Sequence, residues 1–196
     1  MVKTFEKVFS AAPTVIASAP GRVNLLSEYT DYNGGYVMPT AIPQHTSVSI
    51  RLNKRNTFRL YSAALDQLVE FDLSKPPNLH FATYIFGCLR KVKNSGVNMP
   101  ALDIHISSNV PMGVGLSSSA TLEVAMLRAL RELLNLELSD VTIAKIAQQA
   151  EIKYAKVNCG IMDQTAASLA DTQHCCFWIR KRLDVKNYFY QKILRY

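Results

Sequence analysis

Short runs in which apolar and polar residues alternate share this chain with longer runs in which apolar residues recur every three to four positions. The first kind marks strands. Residues 14–18 (TVIAS), 45–52 (HTSVSIRL), 57–63 (TFRLYSA), 67–73 (QLVEFDL) and 101–107 (ALDIHIS) fit it, with Asp66 in the turn between the third and fourth. Residues 19–39 contain Asn33-Gly34-Gly35 and read as loop-rich. The second kind marks helices. One is expected at about 79–93, after the Pro76-Pro77 break and before Asn94-Ser95-Gly96. From Ser117 onward, Leu122, Ala125, Met126, Ala129, Leu130 and Leu133 share one helical face, while Glu123, Arg128, Arg131 and Glu132 take the other. Ser139 can cap a further helix at about 140–154, and a short one at about 161–169 follows the Cys159-Gly160 break. Strands, helix, strand, glycine loop and then helices argue for an α+β domain, and no internal repeat is visible.

Composition changes this picture little. A chain of 196 residues with 48% hydrophobic and 19% charged content is an ordinary globular one, long enough for a real core. No apolar run reaches the roughly 18 residues that span a bilayer, and the N-terminus is no convincing signal peptide, so a cytoplasmic protein without membrane contact is expected. Cys88, Cys159, Cys175 and Cys176 lack C-x-x-C spacing and read as free thiols; no zinc constellation is present. The net charge of +7 is uneven, because residues 174–196 hold six Lys or Arg against Asp184 alone. The basic character therefore describes a tail and not the main domain.

Candidate chemistry concentrates in PMGVGLSSSA (111–120), immediately before the helix that starts near Ser117. A helix start leaves backbone N–H groups unpaired at the positive end of its dipole. Glycines at 113 and 115 allow backbone shapes that turn successive N–H groups the same way, and the serines add hydroxyls. Together these could hold phosphate oxygens. The pattern is neither a Walker A loop nor G-x-G-x-x-G. On its own, a glycine turn with serine caps adopted for folding accounts for it equally well.

The same stretch resembles the phosphate-binding signature of the GHMP kinases, a group named for galactokinase, homoserine kinase, mevalonate kinase and phosphomevalonate kinase. APGRVNLLSEYTDYNGGYVMPTAI (19–42) is similar to the N-terminal signature of the galactokinase branch. AQQAEIKYAKVNCGIMDQ (147–164) is similar to the segment carrying its catalytic aspartate. The three stand in family order, and the likeness spans roughly 13–174. It implies a ribosomal protein S5 domain 2-like α+β fold over residues 1–174. It also implies transfer of the γ-phosphoryl group of ATP to the anomeric hydroxyl of galactose, with Mg²⁺.

By that resemblance Pro111, Gly113, Gly115, Leu116, Ser117, Ser118, Ser119 and Ala120 surround the ATP phosphates, and Ser119 and Glu151 bind the metal. Glu151 also lies at the margin of the apolar face of the 140–154 helix, half drawn out of water. Asp163 corresponds to the catalytic aspartate and Arg22 to its partner. An aspartate in a first helical turn beside an arginine is favoured as its anion. It can therefore orient the sugar hydroxyl and accept its proton late more readily than remove it beforehand. Glu28, Tyr29 and Asp31, with the backbone at Gly160, are the expected sugar contacts.

Two departures stand out. The galactokinase pattern has glycine and histidine around the glutamate, where this chain has Ser27 and Tyr29, which leaves the exact sugar open. The likeness also stops near residues 170–174. Residues 175–196 are basic, aromatic and free of glycine and proline, and read as a frame-shifted or substituted ending with the family's C-terminal portion missing. Impaired activity is the expectation for such a chain. A non-catalytic sugar or nucleotide regulator is the alternative, against which retention of Arg22, Glu151 and Asp163 argues. Single-stranded nucleic acid bound by Phe177, Trp178, Tyr188 and Arg180–Arg182 is the weakest reading. Oligomeric state has no signature in the sequence.

Overall fold

The computed structural model describes residues 3–25, 36–170, 174–179 and 186–189, with Tyr36 and the last two segments described by backbone alone. Helix α1 (Phe5–Phe9) precedes β1 (Val15–Asn24), β2 (Tyr36–Val37), β3 (Pro39–Leu52), β4 (Phe58–Ser62) and β5 (Gln67–Phe71). Then come α2 (His80–Asn94), β6 (Leu102–Ser108), α3 (Ser118–Leu133) and α4 (Asp140–Ala150). A π-helical turn (Glu151–Ala155), α5 (Met162–Leu169), β7 (His174–Ile179) and β8 (Lys186–Phe189) complete the order.

Strand β3 organises the sheet. It pairs antiparallel with β1 over most of its length, and its second half pairs antiparallel with β6. Beyond β6 lies β4 in parallel, then β5 as its hairpin partner. Asp66, at φ 48°, makes that hairpin turn, as its position in the sequence predicts. At its first residues β3 also meets β7, which pairs in turn with β2 and β8.

Helices α2, α3 and α4 cover one face. Val48, Ile50, Leu60 and Ile104 from the sheet meet Phe86, Leu89, Val124, Leu127, Leu130 and Ile143 from the helices in one continuous core. Each such side chain contributes about 1.5–3 kcal/mol through removal from water. Helix α3 is central: it packs on β1 and β3 on one side and on α2, α4 and α5 on the other. That position corrects one expectation. Glu123, assigned to an outer polar face, has no exposed surface at all, because α3 has neighbours on both sides.

Two further expectations need revision. Residues 19–24 are strand and not loop, and β3 begins at Pro39 and not at 45. The pairing of β1 with β3 is interrupted between Pro20 and Arg22, where Pro43 cannot donate to the ladder. The 140–154 helix is α-helical only to Ala150, after which it widens into the π turn. Ser139 caps α4 as expected, its hydroxyl accepting from the Thr142 amide at 3.1 Å.

Candidate active site

The loop before α3 folds as its glycines require. Gly113, Gly115 and Ser117 take positive φ angles of 75°, 78° and 61°. Left-handed residues at alternate positions are what a concave array of backbone N–H groups is built from. Serine tolerates that backbone poorly, so Ser117 stores strain of about 1–3 kcal/mol. Its hydroxyl is buried without a hydrogen-bond partner, and it does not cap α3. A strained, unsatisfied serine and a helix start with no acidic residue in its first turn suit an anion arriving from outside. Pro111, Gly113 and Gly115 are exposed, Leu116, Ser118 and Ser119 half-buried, and Ala120 buried.

Strand β1 delivers Arg22 to this loop. Just past the pairing irregularity, Arg22 sends Nε and Nη2 to one oxygen of Asp163 at 3.0 and 2.7 Å, while Nη1 donates to the Gly115 carbonyl. One guanidinium thus joins β1, the loop and the first turn of α5. The close approach depends on Gly21, where a Cβ would stand 3.2 Å from the Leu116 carbonyl oxygen and 3.1 Å from Ile42.

Glu151 opens the π turn and is 4% exposed, deeper than the boundary position expected for it. Burial pushes its carboxyl up, against hydrogen bonds from Ser119, Glu123 and Gln164; the charge of Asp163 also raises it. The Glu123 carboxyl is pushed well above its ordinary range, first by burial and then by the neighbouring Glu151. Neither oxygen of the buried Glu123 carboxyl has a hydrogen-bond partner, so its charged form is poorly compensated there. Burial and then Glu151 push the Cys159 thiol to about 12, and the same causes push the Tyr84 phenol to about 12.

Among the described residues no three His, Cys, Asp or Glu side chains form a metal cage. Mg²⁺ does not require one, since it takes one or two protein oxygens and fills the rest with water and substrate phosphates. Ser119 and Glu151, close to each other beside the loop, fit that demand. An apolar cavity of about 240 Å³ continues from Ser118 and Ser119 between His80, Phe81, Tyr84 and Met112. A flat heterocycle matches its lining. A second cavity, about 490 Å³ and lined by Arg55, Asp72, Arg90 and Lys93, contains none of these site residues.

The structure therefore brings together the loop, Arg22, Ser119, Glu151 and Asp163. Gly160 lies in the segment leading into α5, half-buried. Glu28, Tyr29 and Asp31 lie outside the described residues, as does most of the 175–196 tail. Three residues went unrecognised in the sequence. Gly21 and Gln164 stand in the sequence only inside longer motifs, and Glu123 falls on the expected polar face of its helix. The i to i+1 step from Asp163 was the one signal available for Gln164.

Residues 83–171 match the GHMP kinases N-terminal domain, and residues 3–52 match the galactokinase galactose-binding signature. The chain belongs to the GHMP kinase family. Among curated GHMP kinases, the galactokinase of Thermosipho africanus is 40% identical over 166 residues, covering 85% of this chain and 46% of its own length. That of Streptomyces coelicolor is 37% identical over 177 residues, covering 88% of this chain and 46% of itself. The Lactococcus lactis galactokinase solved with galactose superposes with a TM-score of 0.86 at 30% identity, over 94% of this chain and 50% of that one. The mevalonate kinase of Methanococcus jannaschii shares the fold, with a TM-score of 0.74 at 20% identity, over 89% of this chain and 55% of its own. This GHMP kinase chain spans about half the length of the curated relatives it matches. No helix among its described residues is long and apolar enough to cross a membrane.

Proposed function

We propose that this chain supplies the phosphate-binding and catalytic half of a cytoplasmic galactokinase, phosphorylating the anomeric hydroxyl of galactose from ATP. The observation that carries the reading is the Arg22 bridge, which ties the Asp163 carboxylate to the loop that precedes α3. The loop amides and the start of α3 hold the triphosphate, with the base in the cavity beside Tyr84. Mg²⁺ at Ser119 and Glu151 would offset phosphate charge. Arg22 keeps Asp163 in place and adds positive charge beside the transferring group. Asp163 accepts a hydrogen bond from the anomeric hydroxyl. As that oxygen forms its bond to the γ-phosphorus, the bond to the β,γ-bridging oxygen breaks and ADP leaves. The hydroxyl proton passes to Asp163 late in the step. The galactose-binding signature and the galactose complex of the Lactococcus lactis relative support the choice of sugar.

The test is formation of galactose 1-phosphate and ADP over a panel of sugars, with Asp163→Asn as control. Turnover specific for galactose and reduced about 10²–10⁴-fold in the variant is expected. Undiminished turnover by the variant removes Asp163 from the mechanism.

A further inference from the structure

Asp163 and Gln164 are neighbours in the first turn of α5, yet they face different partners. Asp163 is half-buried and meets Arg22. Gln164 has no exposed surface, and its Nε2 donates to Glu151 Oε2 at 2.6 Å. The Glu123 carboxyl lies near the same amide, and Cys159 Sγ stands 3.8 Å from its nitrogen. Its Oε1 is buried without a partner. A buried amide left half-satisfied costs about 1–3 kcal/mol, and an apolar residue of similar size would avoid that cost. Packing alone does not favour a glutamine here.

We propose that Gln164 is a positioning residue. Its amide, fixed by the same helical turn that sets Asp163, holds the Glu151 carboxyl against Ser119 at the edge of the phosphate loop. The placement of the proton-accepting carboxylate and that of the metal-binding carboxylate thereby become one rigid unit. Loss of a hydrogen bond that orients a metal-binding carboxylate weakens metal affinity about 10–100-fold. This inference rests on the kinase reading above, and specifically on Glu151 as a metal ligand.

The test measures binding of an imido-bridged ATP analogue to the 196-residue chain by calorimetry, across a Mg²⁺ series and in EDTA. Gln164→Met should raise the Mg²⁺ concentration giving half-maximal enhancement about 10-fold or more, while metal-free affinity stays unchanged. On a Glu151→Gln background it should have no further effect. An unchanged Mg²⁺ midpoint, or losses that multiply in the double variant, overturns the positioning role. Gln164→Leu, a smaller apolar residue that also lacks the donor, serves if the methionine variant does not fold, and should shift the midpoint the same way. Wild-type binding indifferent to Mg²⁺ would overturn the metal-ligand reading and this inference together. Metal-dependent wild-type binding with an unmoved variant overturns this inference alone.

Discussion

Replacing Glu123 with glutamine should make the protein more stable, by an amount that grows with pH. The buried Glu123 carboxyl titrates well above its ordinary range in the folded chain, mainly because burial disfavours its charge. In the unfolded chain it ionises near its usual value of about 4.3. Between those two points the folded state holds a proton that the unfolded state has released. Stability from this group is therefore fully present below the unfolded value and falls as pH rises above it. One proton corresponds to about 1.4 kcal/mol per pH unit. For a chain of this size, 1 kcal/mol moves Tm by about 2–4 °C. Glutamine has nearly the same shape and has no proton to lose. The Tm difference between Glu123→Gln and wild type should thus rise by about 3–6 °C per pH unit above pH 5 for as long as the folded chain keeps the Glu123 proton, followed by circular dichroism. Groups that do not interact with Glu123 cancel in the difference. A flat difference, or one that declines with pH, would refute a proton-bearing Glu123.

Two other substitutions probe the loop and the core. Ser117→Gly relieves the left-handed serine and should stabilise folding by about 0.5–1 kcal/mol in urea titrations while weakening nucleotide binding, since a buried hydroxyl facing the loop is removed. Equal stability would show that no strain resides there. Leu127→Ala, at a fully buried position in the centre of α3, should cost about 2–5 kcal/mol by the same titration; a loss under 1 kcal/mol would contradict the core described here.

Elements with clean periodicity were legible in the sequence. The alternation in 67–73 and 101–107 and the apolar recurrence in 118–133 place two strands and a helix where the structure has β5, β6 and α3, although β6 and α3 are buried on more than one side. Legibility failed where local chemistry and tertiary context conflict. Pro20 and Gly21 look like turn residues, yet β1 runs through them, because the neighbouring pairing is already broken at Pro43 and Gly21 is needed for approach to the loop. Glu123 looks like a surface charge because a helical wheel assumes one buried face, and α3 has two. Arg22, Glu151 and Asp163 could be named from motifs, and the resemblance paired Arg22 with Asp163, but no local pattern in the residues shows that meeting. Contacts across 141 residues, such as Arg22 with Asp163, depend on the sheet order. The π turn that sinks Glu151 is a backbone event with no side-chain signature.

The central claim is that the loop before α3, Arg22 and the α5 carboxylate border a single nucleotide cleft. Nitrogen–proton correlation spectra of the labelled chain, titrated with Mg²⁺ and the imido-bridged ATP analogue, test it most directly. The account predicts the largest shifts at the amides of residues 113–120, at Arg22 Nε and at the Gln164 side-chain amide. Shifts gathered instead around Arg55, Arg90 and Lys93, with the loop amides unmoved, would contradict it.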